Sequence, residues 1–356
     1  MKRFNFSKIR INKKSCHRII RLVLIPVAIF CVLSVPYLIG RSIILDKREY
    51  RFGRLSNALS PDYQYPLLGN TKIKYNGKMY EYNKDISTFL ILGIDKEDEV
   101  SPNPDLVSGG QSDVILVAVF NRKTKDLNLI NIDRNTIVDV EMPGIGADGG
   151  DLISSSQICV QHGFGDGMNL SCELTKKRVS EVLFDVPIDG YLSVNYGIIP
   201  MVTCYAGGIE VTIPEGMNPE YMDWQAGDTI VLCHYEDTVT YLRYRDLDEF
   251  GSARERSERH KDFIKKLSEQ LKAAIIEKPA LIFELLKITD DYTVTDLNFF
   301  KLYYMIPSLI NADIGIDNIF YPPGQTVPDG EFEEFYPDEE ELKKLVIDLF
   351  FTEISE

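Results

Sequence analysis

Three side chains at strand ends and a run of arginines are the groups in this 356-residue chain with chemistry to offer. Phe89 to Ile94, FLILGI, is a continuous apolar run that ends at Asp95. A second run, Val114 to Phe120, starts just after Gln111-Ser112-Asp113, and a third, Leu127 to Ile132, ends before Asp133-Arg134-Asn135-Thr136. The later arginines lie between Tyr241 and Phe263: Arg243, Arg245, Arg254, Arg256 and Arg259. Acids interleave with them, so the stretch is not a basic patch, and what counts is which side chains share a face. A period of two over Thr238 to Arg245 predicts a strand with Val239, Tyr241, Arg243 and Arg245 on one side. Ser252 and Glu255 read as a capping box, which predicts a helix from Ala253 to a stop before Pro279. On that helix Arg256 and His260 share the face of Phe263, Ile264, Leu267 and Leu271. They lead the core-facing stripe at the N-terminal end, where free backbone N–H groups suit an anion. Strand arginines followed by helix cations have the chemistry of a phosphate or pyrophosphate clamp, since the guanidinium fork matches phosphate oxygens. The competing reading is a set of structural salt bridges with the interleaved acids.

The elements around Asp95, Asp113 and Arg134 must bring them together. The three apolar runs read as buried strands. Only a short polar turn, Asn121 to Asp126, separates the second from the third, so these two are expected to be antiparallel neighbours. Asp113 at the start of one then lies beside Arg134 after the end of the other. If the first strand runs alongside the third, Asp95 joins them at one sheet edge. Taken singly, each of these residues is better read as a turn former or a surface ion pair.

The rest of the chain supplies the setting. Met1 to Arg21 carries eight basic residues and no acid, and Leu22 to Gly40 runs without a charge. At 1.5 Å rise, a helix of that length spans roughly 30 Å, enough for a bilayer core. The basic flank predicts a cytoplasmic N-terminus and an extracytoplasmic remainder. Residues 1–54 hold thirteen Lys and Arg against two acids, a net of +11. The whole chain carries −15, which leaves −26 beyond residue 54. A domain that acidic does not bind nucleic acid through a general field. The expected order is a basic cytoplasmic tail (1–21), a transmembrane helix (22–40), an extracytoplasmic stalk (41–70) and one outer domain (71–356). Cys159, Cys172, Cys204 and Cys233 fall in the outer part, where disulfides form, and four cysteines allow three pairings. Asn76-Gly77 within KIKYNGKMYEY predicts a hairpin with a type I′ turn. Residues 137–166 read as irregular and glycine-rich. Helices are expected over Ser171 to Leu183 and Glu339 to Phe351, the latter capped by Asp338, and a strand over Gly190 to Val194. Further helix is expected over Leu281 to Ile310, with a break near Thr289 to Thr295.

Four ordered blocks carry a resemblance: FLILGID, GGQSDVILVAVFNRKTKDLNLINIDRNT, YAGGIEVTIPE, and YLRYR followed by RSERHKDFI. Over roughly Thr88 to Leu267 the chain resembles the LytR-CpsA-Psr family of Gram-positive envelope proteins. The resemblance implies an α/β fold, a central mixed sheet flanked by helices, that holds a polyprenyl-pyrophosphate lipid. It also implies transfer of a glycopolymer phosphate from that carrier onto peptidoglycan, with Mg²⁺ or Mn²⁺. Family positions map to Asp95, Asp113, Arg134, Arg243, Arg245 and Arg256. Three positions depart from the family pattern: Gln111 stands for an Arg, Asn135 for an Asp and His260 for a Gln. The resulting expectation names Asp95, Asp113, Arg134 and Arg256 as catalytic and Asp95 and Asp113 as metal ligands. Arg134, Arg243, Arg245, Arg256, Arg259 and His260 are expected to bind pyrophosphate, with His260 taking up a proton as the lipid binds. A scaffold that holds the lipid without turnover is the alternative, and a signalling protein ranks below it.

Overall fold

The computed structural model describes residues 38–40, 72–219, 221–244, 252–278, 280–297, 301, 318–329 and 332–354. The chain divides into two compact units, Met1–Arg48 with Leu297–Asn311 and Glu49–Asp296 with Ala312–Glu356. The strands and helices from Lys72 to Thr295 and from Ile319 to Ile354 belong to the second unit. Among the described residues no helix is long and apolar enough to cross a membrane. The expected span Leu22 to Gly40 lies outside them except for residues 38–40, as do the basic tail and the stalk.

The hairpin forms as expected. β1 (Lys72–Tyr75) and β2 (Lys78–Tyr82) turn at Asn76 and Gly77, both with positive φ, which a type I′ turn demands. The apolar runs become β3 (Ile86–Ile94), β4 (Ser112–Asn121) and β5 (Leu127–Asn131). After them come β6 (Ile137–Met142), β7 (Leu152–Gln157), α1 (Asn169–Val182) and β8 (Gly190–Asn195). Residues 137–166 are therefore not irregular: β6 and β7 form an antiparallel hairpin. The glycine-rich stretch that hid it, Gly144 to Gly150, is only the hairpin's loop, and a serine-rich β7 lacks the apolar signature of a strand.

The chain continues through α2 (Ile199–Tyr205), β9 (Ile209–Thr212) and β10 (Thr229–Leu232). It then enters α3 (Tyr235–Arg243) and α4 (Ser252–Glu277). The strand expected over Thr238 to Arg245 is corrected here: its described part is the helix α3. Thr238, Thr240, Tyr241 and Leu242 are buried, and over so few residues the face of a helix reads like alternation. Glu236 and Asp237 in the first turn and Arg243 in the last match the helix dipole. α5 (Leu281–Thr289) ends at a short 3-10 turn and β11 (Thr293–Thr295), where the break was expected. β12 (Ile319–Phe320), the hairpin β13 (Gly324–Asp329) and β14 (Phe332–Pro337), α6 (Glu339–Phe350) and β15 (Phe351–Ile354) complete the described chain. Asp338 caps α6 by accepting from the Glu340 and Glu341 amides.

One mixed sheet runs β11-β8-β3-β4-β5-β12. β4 is antiparallel to both β3 and β5, and β8 runs parallel to β3. β4 and β5 are thus the expected antiparallel neighbours. β3 lies on the far side of β4, not alongside β5. Leu90, Leu92, Ile115, Val117 and Ile130 from the sheet share one core with Cys172, Val179 and Leu183 near α1. Leu342, Val346, Ile347 and Phe350 of α6, spaced four, one and three apart, complete it. A smaller core joins Ile209, Val211, Leu232, Tyr241, Leu242 and Phe263, locking α3 and α4 onto the β9–β10 hairpin. A Cys204–Cys233 disulfide ties α2 to the link between β10 and α3, while Cys159 and Cys172 are free and buried.

Candidate functional site

A β-bulge aims Asp113. Gly93 pairs with Val114 and Ile94 with Ser112, so Asp113 is the extra residue on β4. An extra residue breaks the in-out alternation and turns its side chain off the ladder. Ser112 is buried while Asp113 and Val114 are both exposed, as that shift requires.

Arg134 arrives from the far side of β4. The Ile132 amide extends the β4–β5 ladder to the Ile115 carbonyl. An Asx turn then stops the strand: Asp133 Oδ1 accepts from the Asn135 amide, and Thr136 bonds the Asp133 carbonyl twice. Arg134, inside this turn, points one guanidinium nitrogen at Asp113 Oδ1 in a short ion pair. Its other terminal nitrogen donates to Gln111 Oε1 at 2.8 Å and lies 3.5 Å from Cys159 Sγ. The pair is open to ligand, with side-chain exposures of 38% for Arg134 and 47% for Asp113. Burial works against the Arg134 charge, but Cys159, Asp113 and Asp95 outweigh it and raise the pKa, so the group stays cationic.

Asp95 enters through the backbone. Its amide donates to the Gln111 carbonyl at 3.0 Å, and its Oδ1 accepts from the Gln111 amide at 2.6 Å. Gln111 thus binds Asp95 with its main chain and Arg134 with its side chain. The preceding Gly110 has φ +83°, and a Cβ there would lie 2.7 Å from Ile94 Cγ2 and 3.0 Å from Asp95 Oδ1, so glycine is required. Asp95, Gln111, Asp113 and Arg134 therefore meet at one end of the sheet. Asp95 reaches the group as β4's neighbour through Gln111 rather than through a pairing of β3 with β5.

Two residues that sequence reasoning did not select complete the frame. Cys159 reaches Arg134 because the Ile158 and Cys159 amides bond the carbonyls of Thr136 and Arg134. Burial raises the Cys159 thiol pKa against the opposing pull of the Arg134 guanidinium. His162, 1% exposed, places Nδ1 at 3.0 Å from the Gly109 carbonyl and 3.2 Å from that of Gly110. Facing carbonyls, Nδ1 must carry the proton, and Nε2 is left as acceptor near Ser193 Oγ and Cys172 Sγ. His162 so fixes the loop that delivers Gln111. Neither residue borders one of the long apolar runs or lies in a charged run, so the sequence pattern carries no sign of them.

The later cations divide. Arg243 is exposed at the end of α3. Arg259 is buried, and its guanidinium donates to the carbonyls of Tyr241 and Tyr244. His260 Nε2 donates to the Leu242 carbonyl at 2.8 Å. Both therefore bond backbone on the seam between α3 and α4. Arg256 lies on α4 with its side chain outside the described atoms, and Arg245 lies outside the described residues.

Among the described residues no three His, Cys, Asp or Glu side chains gather as a metal cage. The carboxylates of Asp95 and Asp113 still offer hard oxygens at this end of the sheet. That donor set fits a small hard cation that keeps water and phosphate oxygens as its other ligands.

A family model described as the LytR_cpsA_psr family matches residues 56–347. A Bacillus subtilis protein named polyisoprenyl-teichoic acid–peptidoglycan teichoic acid transferase TagT is 26% identical over 205 residues, 56% of this chain and 58% of its own. A protein of Enterococcus faecalis, named as the corresponding transferase TagU, is 28% identical over 217 residues, 61% and 63% of the two chains. The chain spans about three fifths of the length of the curated relatives it matches. Among solved structures, TagT bound to LI-WTA matches with a TM-score of 0.52 at 19% identity, over 75% of this chain and 90% of that one. B. subtilis TagV gives 0.54 at 20% identity, over 75% and 96%. At these identities the structural matches establish the fold.

Proposed function

The chain belongs to the LytR-CpsA-Psr family, and we propose that it transfers a glycopolymer phosphate from a polyprenyl-pyrophosphate carrier onto peptidoglycan in Gram-positive wall assembly. The observation that carries this reading is the Asp113–Arg134 pair, open to ligand and held beside Asp95 by Gln111. The names of the relatives, teichoic acid transferases, support it.

In the proposed step a peptidoglycan hydroxyl oxygen attacks the phosphorus that bears the glycopolymer. A phosphodiester bond forms to the acceptor, the P–O bond to the carrier phosphate breaks, and polyprenyl phosphate leaves. The hydroxyl proton passes to the Asp95 or Asp113 carboxylate. Arg134 stabilises the charge that builds on the transferring phosphoryl oxygens, work that is mainly electrostatic positioning. Arg243, Arg245 and Arg256 hold the outer phosphate. Arg259 and His260, which bond α3 backbone, support that clamp from behind. Asp95 and Asp113 would hold Mg²⁺ or Mn²⁺, which when bound offsets the negative charge of the pyrophosphate.

The same reading sets the protein in the cell membrane, with Leu22 to Gly40 as a single anchor, the N-terminus cytoplasmic and the site outside. The Cys204–Cys233 disulfide supports an oxidising, extracytoplasmic setting. The product is the test. The full-length chain in detergent micelles is incubated with Mg²⁺, a carrier-pyrophosphate-linked saccharide and peptidoglycan fragments. Mass spectrometry should find a saccharide phosphodiester on the fragment. Lipid binding with no such product contradicts transfer and leaves a carrier-binding protein.

A further inference from the structure

Arg243 has to be held still to serve a clamp, yet it is an exposed residue at the end of α3, where a long side chain samples many rotamers. Its guanidinium carbon lies 5.1 Å from the centre of the Tyr196 ring, and its Nη1 lies 3.0 Å from the Tyr196 hydroxyl. That hydroxyl is also 3.0 Å from Glu97 Oε2. Arginine only donates and a carboxylate only accepts, so the direction of the chain is fixed. Tyr196 accepts from Arg243 and gives its single proton to Glu97. Burial and then the bond to Glu97 raise the phenol's pKa, which keeps that proton in place.

The far end of this chain is rigid. Asn195 Nδ2, at the end of β8, donates to the Asp98 carbonyl at 2.7 Å. A Cβ at Gly197 would lie 1.9 Å from the Glu97 carbonyl, so only glycine lets the backbone after β8 press against this loop. Glu97 is two residues past Asp95. Arg243, on α3, is thereby tied through one phenol to the loop that begins with Asp95.

We propose that Tyr196 is the positioning residue of Arg243, fixing the guanidinium beside the Asp95 loop while keeping it from pairing with Glu97. A direct Arg243–Glu97 fork would occupy two N–H groups and cancel the charge. The interposed phenol takes one of the five N–H groups and leaves the charge for a phosphate. This inference rests on the proposed function, in which Arg243 meets the lipid pyrophosphate.

Steady-state release of polyprenyl phosphate tests it. The full-length chain in micelles is given Mg²⁺, saturating peptidoglycan fragments as acceptor and a short-chain carrier-pyrophosphate disaccharide. Tyr196→Phe should raise KM about tenfold with kcat within about twofold, because the freed guanidinium pairs with Glu97. Adding Glu97→Gln to Tyr196→Phe should return KM most of the way toward wild type. A tyrosine that only fills space would not be rescued by removing a carboxylate. An unchanged KM in Tyr196→Phe, or no rescue by Glu97→Gln, overturns the inference while wild-type turnover leaves the functional reading standing. A wild-type chain that neither binds nor turns over the probe overturns both.

Discussion

Asp113, Arg134 and Asp95 were legible in the sequence because each lies within three residues of the end of an apolar run, and strand ends meet at sheet edges. What aims them was not legible. The bulge that turns Asp113 outward is a register shift between two strands, and one strand read alone carries no sign of it. Gln111 departs from the family pattern, yet its bridging role emerges only when β3 and β4 pair. That role yields a prediction. Gln111→Ala removes the Arg134 contact and keeps the amide bond to Asp95, so polyprenyl-phosphate release should fall about tenfold, the worth of one bond to a charged group. Melting temperature should hardly move. Unchanged release would mean that Arg134 is held by Asp113 and Cys159 alone.

At the scale of elements, the arginine stretch shows where pattern reading stops. The helical wheel put Arg256 and His260 on the inner face of α4, and His260 does face α3. A wheel distinguishes inside from outside but not a phosphate from a backbone carbonyl. Arg259 and His260 meet carbonyls because α3 is a helix, whose last carbonyls lack partners within it. Arg259 therefore belongs first to the seam, and Arg243 to solvent. Arg259→Leu should cost roughly 2–4 kcal/mol in denaturant unfolding, through two lost charge-assisted bonds to the Tyr241 and Tyr244 carbonyls. Arg243→Ala, at an exposed helix end, should cost under about 1 kcal/mol. Equal small losses would dissolve the distinction. The β6–β7 hairpin was missed for another reason. Glycines that serve its loop made the whole stretch look irregular, and the burial of its partners depends on α1, far along the chain.

At the scale of the molecule, the buried strands, the β4–β5 pairing and the ends of several helices followed from apolar runs and caps, but the place of β3 beyond β4 did not. His162 did not, because a single histidine in a glycine-rich stretch carries no periodic signal. Burial lowers its pKa below the usual 6.5, against the pull of the Gly110 and Gly109 carbonyls and of Asp166 and Asp95. A lowered folded pKa means that the unfolded chain binds the proton more readily. The stability this neutral imidazole contributes is whole above about pH 6.5 and is lost as pH falls toward the folded pKa. Melting temperature of the full-length chain should drop between about pH 7 and pH 5, and His162→Gln should flatten part of that slope. Parallel slopes would show that other groups govern acid sensitivity. The membrane reading is tested by topology. Protease added to intact cells should remove the outer domain, and a domain cut only after lysis would reverse the orientation.

Release of polyprenyl phosphate by wild type and Asp113→Asn, compared at saturating carrier-pyrophosphate saccharide, Mg²⁺ and acceptor, bears most directly on the assignment of this sheet end as the reaction centre. Asn keeps the size of the exposed side chain and a hydrogen-bond acceptor for Arg134 but removes the charge. The expected result is turnover by wild type and a loss of at least about a hundredfold in kcat for Asp113→Asn, with folding intact. Equal kcat in the two proteins would contradict it.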